Sequence, residues 1–421
     1  LWIISQFFLS MLLLFLAPAF NYYDKLFINS DFNFVIAVFL LEWVEFLTLT
    51  VLQFGDGKAK TIRVRSIYLA ICFSKLIVFL ALMYFGHLTI FVAIFVAMIF
   101  SLLSILLIGI DFYRQRKTYF IKEQGETTRS IHRYFVTYGY SYLAFTLVFV
   151  VHNAFGPWLL QFYKGAEEQA LFSVGFQWGM FAMALSLPLS QLFWREIAAA
   201  DISSDLVRIK RLVPEVIRFS VFATSSIAFF IALNAGWLVP LVLGQAYEEA
   251  VAMVIIGAFV PVFLSISQLS SAFFNSINRL KLLRNTSILN GVLGMIIAYF
   301  IIAPSDNIVG GLNLGANGLL VRNLILGYII GIFQLFFVYK VMGSPLRSFL
   351  TIVLHVTTIG LLHIGLAYWL IDYFGSTDFM APVIISCVYL ILMLILVLKI
   401  PKLVGLSDKD LSRLTSLVGE L

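Results

Sequence analysis

The sequence predicts an all-α integral membrane protein with about twelve transmembrane helices, and three observations support this fold class. Hydrophobic residues make up 61% of the chain and charged residues 12%, whereas soluble domains average about 45–50% apolar and about 25% charged residues. Apolar runs of about 20 residues recur along the whole chain, each long enough to cross a hydrocarbon core of about 30 Å. Lys and Arg gather in alternate loops between these runs, as expected of cytoplasmic loops.

The first four predicted helices occupy residues 1–110. Turn residues and charge clusters separate apolar runs near 1–20, 33–53, 66–85 and 89–110. The first run begins with Leu1 rather than Met, lacks a basic n-region and is too long for a signal peptide. We therefore expect the chain to begin as a truncation of a longer protein.

Eight further helices are predicted after a basic loop at 111–131, which we interpret as a linker between two lobes. Six of them fall within 132–340, near 132–153, 168–193, 212–236, 249–276, 285–303 and 316–339. Two more fall within 349–399, near 349–372 and 379–399. Residues 400–421 form a predicted cytoplasmic tail, in which apolar residues at helical spacing after Ser407 indicate a short surface helix.

The distribution of basic residues predicts the orientation. All but four of the 28 Lys and Arg residues lie in one set of alternate loops and helix ends. The opposite set holds Lys25 and Lys164, while Lys75 and Arg322 lie within apolar runs. Because cytoplasmic loops carry the excess of basic residues, both chain ends are predicted to be cytoplasmic. The net charge of +6 then reflects topology and contact with anionic lipid headgroups rather than nucleic-acid binding.

The sequence lacks the motifs of common catalytic and metal sites. It has no GxxxxGK[ST], HExxH or GxSxG pattern, and its histidines are scattered without metal-ligand spacing. Cys72 and Cys387 both lie inside apolar runs, which argues against a disulfide or a thiolate metal site. The predicted external loops are short, whereas a membrane glycosyltransferase or ligase would need a larger one for its chemistry. We therefore expect a transporter rather than an enzyme, with no cofactor.

Five stretches after Ile131 resemble the Wzx-type polysaccharide flippases, in the exporter superfamily that also contains the multidrug and toxic-compound extrusion proteins. They are "YFVTYGYSYLAF", "ALFSVGFQWGMFAMALSLPLSQLFWREIA", "LVPLVLGQAYEEAV", "FFNSINRLKLLRNTSILNGVLGMIIAYFII" and "GLNLGANGLLVRNLI". The resemblance implies two six-helix lobes packed as a V around a central cavity, often followed by two extra helices. Because four, six and two helices are predicted in succession, the chain is similar to a fourteen-helix member that lacks its first two helices.

The function that the resemblance implies is translocation of an undecaprenyl-diphosphate-linked oligosaccharide across the bacterial cytoplasmic membrane by alternating access. The oligosaccharide would be an O-antigen or exopolysaccharide repeat unit, and H⁺ or Na⁺ would be the coupling ion. Expected partners are the lipid-linked oligosaccharide, membrane lipids and other polysaccharide assembly proteins. Two alternatives stay open: a drug or cation antiporter of the same fold, and a membrane glycosyltransferase or ligase.

Three charged residues are predicted near mid-bilayer in the first lobe. Glu42 and Glu45 lie roughly 14 and 18 Å from the external end of their helix, at ~1.5 Å per residue, and Lys75 lies between those depths on the next helix. Charges in the membrane usually pair or face a wet cavity. Lys75 can neutralise one carboxylate, and the other can bind a proton or exchange against Na⁺. The alternative is a structural network that only locks helices together.

Further candidates for substrate contact lie in the second lobe. Arg322, about six residues into its helix from the external end, suits a diphosphate, or else its side chain snorkels to lipid headgroups. Tyr134, Tyr138 and Tyr142 form a helical stripe suited to sugar stacking, or else an interfacial belt. The remaining polar candidates are His152, Asn153 and Gln177. Gly327 and Gly331 are predicted to form a close helix-packing site.

Overall fold

The computed structural model describes Met11 and residues 31–57, 61–114, 128–184, 186–374 and 380–405, and of residues 56, 57, 61, 62, 128–145, 188, 374, 396, 402 and 403 the backbone alone. Within these ranges the secondary structure consists of twelve α-helices and three short 3₁₀ turns, without a strand. The first six helices are α1 (Phe32–Gly57), α2 (Thr61–Tyr84), α3 (Ile90–Arg114), α4 (Thr128–Lys164), α5 (Ala166–Met180) and α6 (Ser186–Ile202). The last six are α7 (Leu206–Leu243), α8 (Ala250–Ser276), α9 (Leu280–Ile302), α10 (Gly315–Val341), α11 (Leu346–Phe374) and α12 (Met380–Lys399).

Nine of the described helices are long and apolar enough to cross a membrane, namely α1 to α3 and α7 to α12. α5 and α6 together would make a tenth span. These helices confirm the predicted all-α membrane fold, and their ends agree with the predicted ones to within about two turns. The span predicted at 132–153 lies within α4 and stays a prediction. The helix predicted at 1–20 and the surface helix predicted after Ser407 lie outside the described residues.

The single helix predicted at 168–193 is wrong, because the structure breaks it. α5 ends at Met180, a 3₁₀ turn covers Phe181–Ala184, and the helical segments on either side of the break are bent by 47°. Pro188 lies in the first turn of α6, where its missing N–H needs no partner. A continuous helix would instead bring the proline ring against the carbonyl group of Ala184, four residues earlier. The break therefore falls one turn before the proline.

The chain divides into two compact units, Leu1–Thr128 and Arg129–Leu421, and the division falls within the range 111–131. In the first unit, α1, α2 and α3 pack against one another. Their shared core contains Leu52, Val64 and Ile108, which are fully buried. This core is small, so the three helices leave most of their apolar side chains partly or fully exposed, as lipid-facing helices do.

An ion pair joins two helices of the first unit near this core. Arg63 Nε on α2 donates to Asp111 Oδ1 on α3 at 3.0 Å, and Arg63 Nη2 donates to the same oxygen at 2.6 Å. The carboxylate of Asp111 is buried, whereas the arginine side chain is 59% exposed. Such charge-assisted contacts are stronger than neutral hydrogen bonds. The pair therefore holds the start of α2 against the end of α3.

α8 is the most buried long helix of the second unit, where it packs against α5, α6, α7 and α10. A Cβ atom on Gly257 of α8 would overlap the carbonyl group of Gly175 on α5, and one on Gly179 would overlap that of Gly257. Small residues four positions apart allow two helix backbones to approach this closely. On α10, a Cβ on Gly331 would lie 3.1 Å from the carbonyl oxygen of Phe263. The close packing predicted for Gly331 is therefore confirmed, whereas the same prediction for Gly327 is wrong, because a Cβ there would lie 3.6 Å from Leu264, an ordinary contact.

Two buried polar links hold α11 and α12 against α7. The Tyr389 hydroxyl of α12 lies 2.5 Å from His363 Nε2 of α11 and donates to Ser226 Oγ of α7 at 3.1 Å. Asn234 Nδ2 of α7 donates to Ser386 Oγ of α12 at 2.8 Å. Because polar groups buried in apolar surroundings are costly unless they are paired, these bonds fix the positions of the last two helices.

Candidate functional site

Among the residues that the structure describes, no ion pair joins the charged residues predicted as a group in the first unit. Glu45 is half-buried and accepts a hydrogen bond from Ser101 Oγ of α3 at 2.7 Å. Glu42 is exposed and Lys75 is half-buried. The ion pairs of the described residues do not join Lys75 to either carboxylate. The hydrogen bond of Glu45 is made with α3, and equal depth in the membrane does not determine which neighbouring helix a side chain contacts. A role of the three residues in ion coupling stays a prediction.

Tyr134, Tyr138 and Tyr142 lie on α4, but their side chains lie outside the described residues. Sugar stacking by this stripe stays a prediction.

A partly open cavity of about 790 Å³ lies in the second unit, lined by α4, α5, α8, α9 and α10. Each helix contributes residues three or four positions apart, such as Leu319, Arg322, Leu326 and Ile330 on α10. Such residues share one face of an α-helix. The volume lies within the range of about 300–1,000 Å³ that is typical of ligand cavities. One face of each of five helices contributes to the lining, so the packing of these helices against one another creates the cavity.

Four of the residues predicted from sequence line this cavity. His152 and Asn153 come from α4, Gln177 comes from α5, and Arg322 comes from α10. They were predicted as polar residues inside apolar runs. The structure brings all four to one space, which makes this cavity the candidate functional site.

Arg322 is the one Lys or Arg among the described lining residues, and it is buried with 6% of its surface exposed. Its Nη1 donates to Asn323 Oδ1 at 2.6 Å, and its Nε has no hydrogen-bond partner within the described residues. The ion pairs found in the described ranges do not include Arg322. The guanidinium lies in the cavity wall, so the alternative of snorkelling to headgroups is wrong. A buried cation without a counter-ion is costly, and it favours the binding of an anion.

Glycines of α9 make room for Arg322 and His152. A Cβ atom on Gly294 would overlap the imidazole of His152 and would lie 2.5 Å from Arg322 Nη2. A Cβ on Gly291, one turn earlier, would overlap Val148 of α4. His152 Nδ1 is buried and lacks a partner among the residues that the structure describes. Arg322 and His152 therefore lie next to each other against the glycine face of α9. Each keeps a side-chain nitrogen without a hydrogen-bond partner among the described residues.

Amide and hydroxyl groups supply most of the other polar contacts in the cavity. Besides Asn153 and Gln177, the amide side chains that line it are Gln169, Gln268, Asn290, Asn323 and Gln334. The hydroxyl side chains are Ser173, Ser267, Ser271 and Ser287. None of the described residues that line it is Asp or Glu. Amides and hydroxyls both donate and accept hydrogen bonds, so the cavity suits a polar ligand that carries negative rather than positive charge.

Gln268 connects the wall of the cavity to the broken segment. Its Oε1 accepts from Ser186 Oγ at 3.0 Å, and its Nε2 donates to Ser190 Oγ at 3.2 Å. Ser186 Oγ lies 3.1 Å from Ser220 Oγ of α7. These bonds join α6, α7 and α8 at the first turn of α6. They stabilise the bend that follows α5.

One solved structure with the same fold is described as a lipid II flippase MurJ in an inward closed conformation. The similarity covers 94% of this chain and 82% of that chain, with a TM-score of 0.57 and 15% sequence identity. At this identity the likeness shows a common fold. No family model and no curated protein matches the chain.

Most residues of the cavity were missed in the sequence, although a signal for them was present. Gln169, Ser173 and Gln177 recur every four residues along α5, and Ser267 and Ser271 have the same spacing on α8, with Gln268 next to Ser267. A polar stripe inside an otherwise apolar helix indicates a face that avoids lipid. Of these residues only Gln177 was predicted, because neutral polar side chains also occur where membrane helices pack against one another.

Proposed function

We propose that this protein moves a lipid-linked precursor across the bacterial cytoplasmic membrane, and that the second-unit cavity holds the polar headgroup. The observation that carries the proposal is Arg322, a buried cation without a carboxylate partner among the described residues, in a large polar cavity. A fold in common with a lipid II flippase supports the same class of activity. A phosphate of the precursor would supply the missing anion, since a guanidinium fork matches phosphate oxygens.

The proposed headgroup is an oligosaccharide repeat unit on undecaprenyl diphosphate. A sugar headgroup cannot cross hydrocarbon unaided, because its hydroxyl groups would lose their hydrogen bonds to water. Amide and serine side chains of the cavity replace those bonds during the passage. Translocation by alternating access, with H⁺ or Na⁺ as the coupling ion, completes the proposal.

Deletion and complementation test this function. Cells without the gene should accumulate lipid-linked glycan that a membrane-impermeant label cannot reach in spheroplasts, and the wild-type gene should restore labelling. Arg322→Gln should lower the restored labelling about tenfold or more, because a charge-assisted contact is lost. Lys340→Gln, an exposed basic residue near the end of α10, is the matched control and should restore labelling fully.

The competing functions give different outcomes. Normal labelling in the deletion strain together with increased drug sensitivity would contradict the flippase and indicate a drug or cation antiporter. The lack of carboxylates among the described lining residues already disfavours a cationic substrate in this cavity. A deletion that removes a glycan linkage while labelling stays normal would indicate a glycosyltransferase or ligase.

A further inference from the structure

We propose that the second-unit cavity binds an uncharged sugar, bearing hydroxyl and acetamido groups, through one phosphate group held at Arg322, and that it rejects sugars with carboxylates. This inference rests on the proposed function and narrows its substrate class.

The charge inventory of the cavity limits the ligand to few negative charges. Arg322 is the one Lys or Arg among the described lining residues, and His152 beside it is the one histidine. A phosphate at this position gains a partner for its charge. A carboxylate elsewhere in the ligand would be desolvated among neutral amides. The free energy lost on desolvation exceeds that gained from hydrogen bonds to the amides. The cavity therefore discriminates between a neutral sugar phosphate and a sugar acid.

The neutral part of the cavity extends away from this cation. Arg322 and Gln334 line it at positions twelve residues apart on α10, which corresponds to about 18 Å at 1.5 Å per residue. Between these ends the lining alternates amide and hydroxyl groups with apolar side chains. This length accommodates a ligand with its phosphate at one end and its sugar along the remainder.

Aromatic rings contribute to the wall of the neutral part. Phe172 and Phe176 of α5 both line the cavity, with ring centroids 5.8 Å apart and an angle of 16° between the rings. Aromatic faces carry partial negative charge and suit the C–H groups on the flat side of a sugar ring. Hydroxyl groups at the edge of that ring would meet the amides of the same helix, Gln169 and Gln177.

Unsatisfied polar atoms mark where the ligand would bind. Gln334 is 3% exposed, its Nε2 donates to Thr286 Oγ1 at 3.4 Å, and its Oε1 has no partner within the described ranges. Ser267 Oγ is likewise buried and unpaired among the described residues. Buried polar atoms are nearly always hydrogen-bonded. An acceptor at Gln334 and a hydroxyl at Ser267 match the N–H of an acetamido group and the hydroxyl groups of a sugar.

Binding of soluble probes to the purified full chain in detergent tests the inference by calorimetry. The probes are N-acetylglucosamine 1-phosphate, glucuronic acid 1-phosphate, N-acetylglucosamine and inorganic phosphate. We expect the first to bind about tenfold or more tightly than any of the others, because only it matches both ends of the cavity. Equal affinity for glucuronic acid 1-phosphate would overturn the proposed selectivity. Equal affinity for inorganic phosphate would overturn the sugar site.

Two variants separate the ends of the cavity. Arg322→Gln should reduce the affinity for N-acetylglucosamine 1-phosphate to that for N-acetylglucosamine. Gln334→Met should weaken both sugars and leave phosphate binding unchanged, and Lys340→Gln should alter none of the affinities. Size-exclusion profiles establish that each variant is folded. Failure of every probe to bind, alongside normal complementation in cells, would overturn this inference alone, whereas failed complementation by the wild-type gene would overturn the proposed function.

Discussion

At the scale of single residues, the missing side chain at Gly294 determines where Arg322 and His152 can lie. We expect Gly294→Ala to destabilise the protein by about 1 kcal/mol, because the added methyl group would overlap the ends of the Arg322 and His152 side chains, which must shift. It should also weaken the binding of N-acetylglucosamine 1-phosphate, since the guanidinium must shift. Thermal unfolding in detergent and calorimetry measure the two effects.

Gly365→Ala is the matched control for this substitution. Gly365 lies on α11, and a Cβ atom there would meet nothing within 4 Å. Its replacement should leave the unfolding temperature unchanged or raise it slightly, because Ala favours helix by about 1 kcal/mol over Gly. Equal unfolding temperatures for both variants would contradict the close contact at Gly294.

Sequence reasoning at this scale identified polar residues but not their neighbours. Arg322, His152 and Gln177 were found because polar groups are rare in apolar runs. The expected pairing of Lys75 with a glutamate was not found in the described residues, since depth along a helix says nothing about the direction of a side chain around it. That direction depends on the packing of the neighbouring helices.

At the scale of helices, the crossing of α5 and α8 fixes one wall of the cavity. Gly257→Ala should destabilise the protein by about 1–3 kcal/mol or more, since its Cβ would overlap the backbone carbonyl of Gly175, which cannot move aside as a side chain can. Loss of monodisperse protein and a lower unfolding temperature in detergent measure the effect. Gly327→Ala is the control, because its Cβ would lie 3.6 Å from Leu264, an ordinary contact. Similar losses for both variants would contradict the importance of the crossing.

At the scale of the whole molecule, the distribution of basic residues predicts which side of the membrane each loop faces. Lys164 ends α4 on the predicted external side, and Arg347 begins α11 on the predicted cytoplasmic side. In a background with Cys72→Ala and Cys387→Ala, we expect Lys164→Cys to react with a membrane-impermeant maleimide in intact spheroplasts. Arg347→Cys should react only after permeabilisation, because cytoplasmic loops carry the positive charge. The reverse pattern of labelling would invert the topology.

The sequence by itself determined the fold class, the position of most helices and the candidate cations. These follow from composition, from the length of apolar runs and from the isolation of charges within them, all of which are local properties. The tertiary structure alone decided that Pro188 accompanies a break in the second predicted helix of the second lobe. It alone decided that five helices converge on a cavity, and that His152 and Arg322 meet at Gly294. The physical reason is that a cavity is the space left by helices that are distant in sequence, and glycine contacts between backbones set its walls.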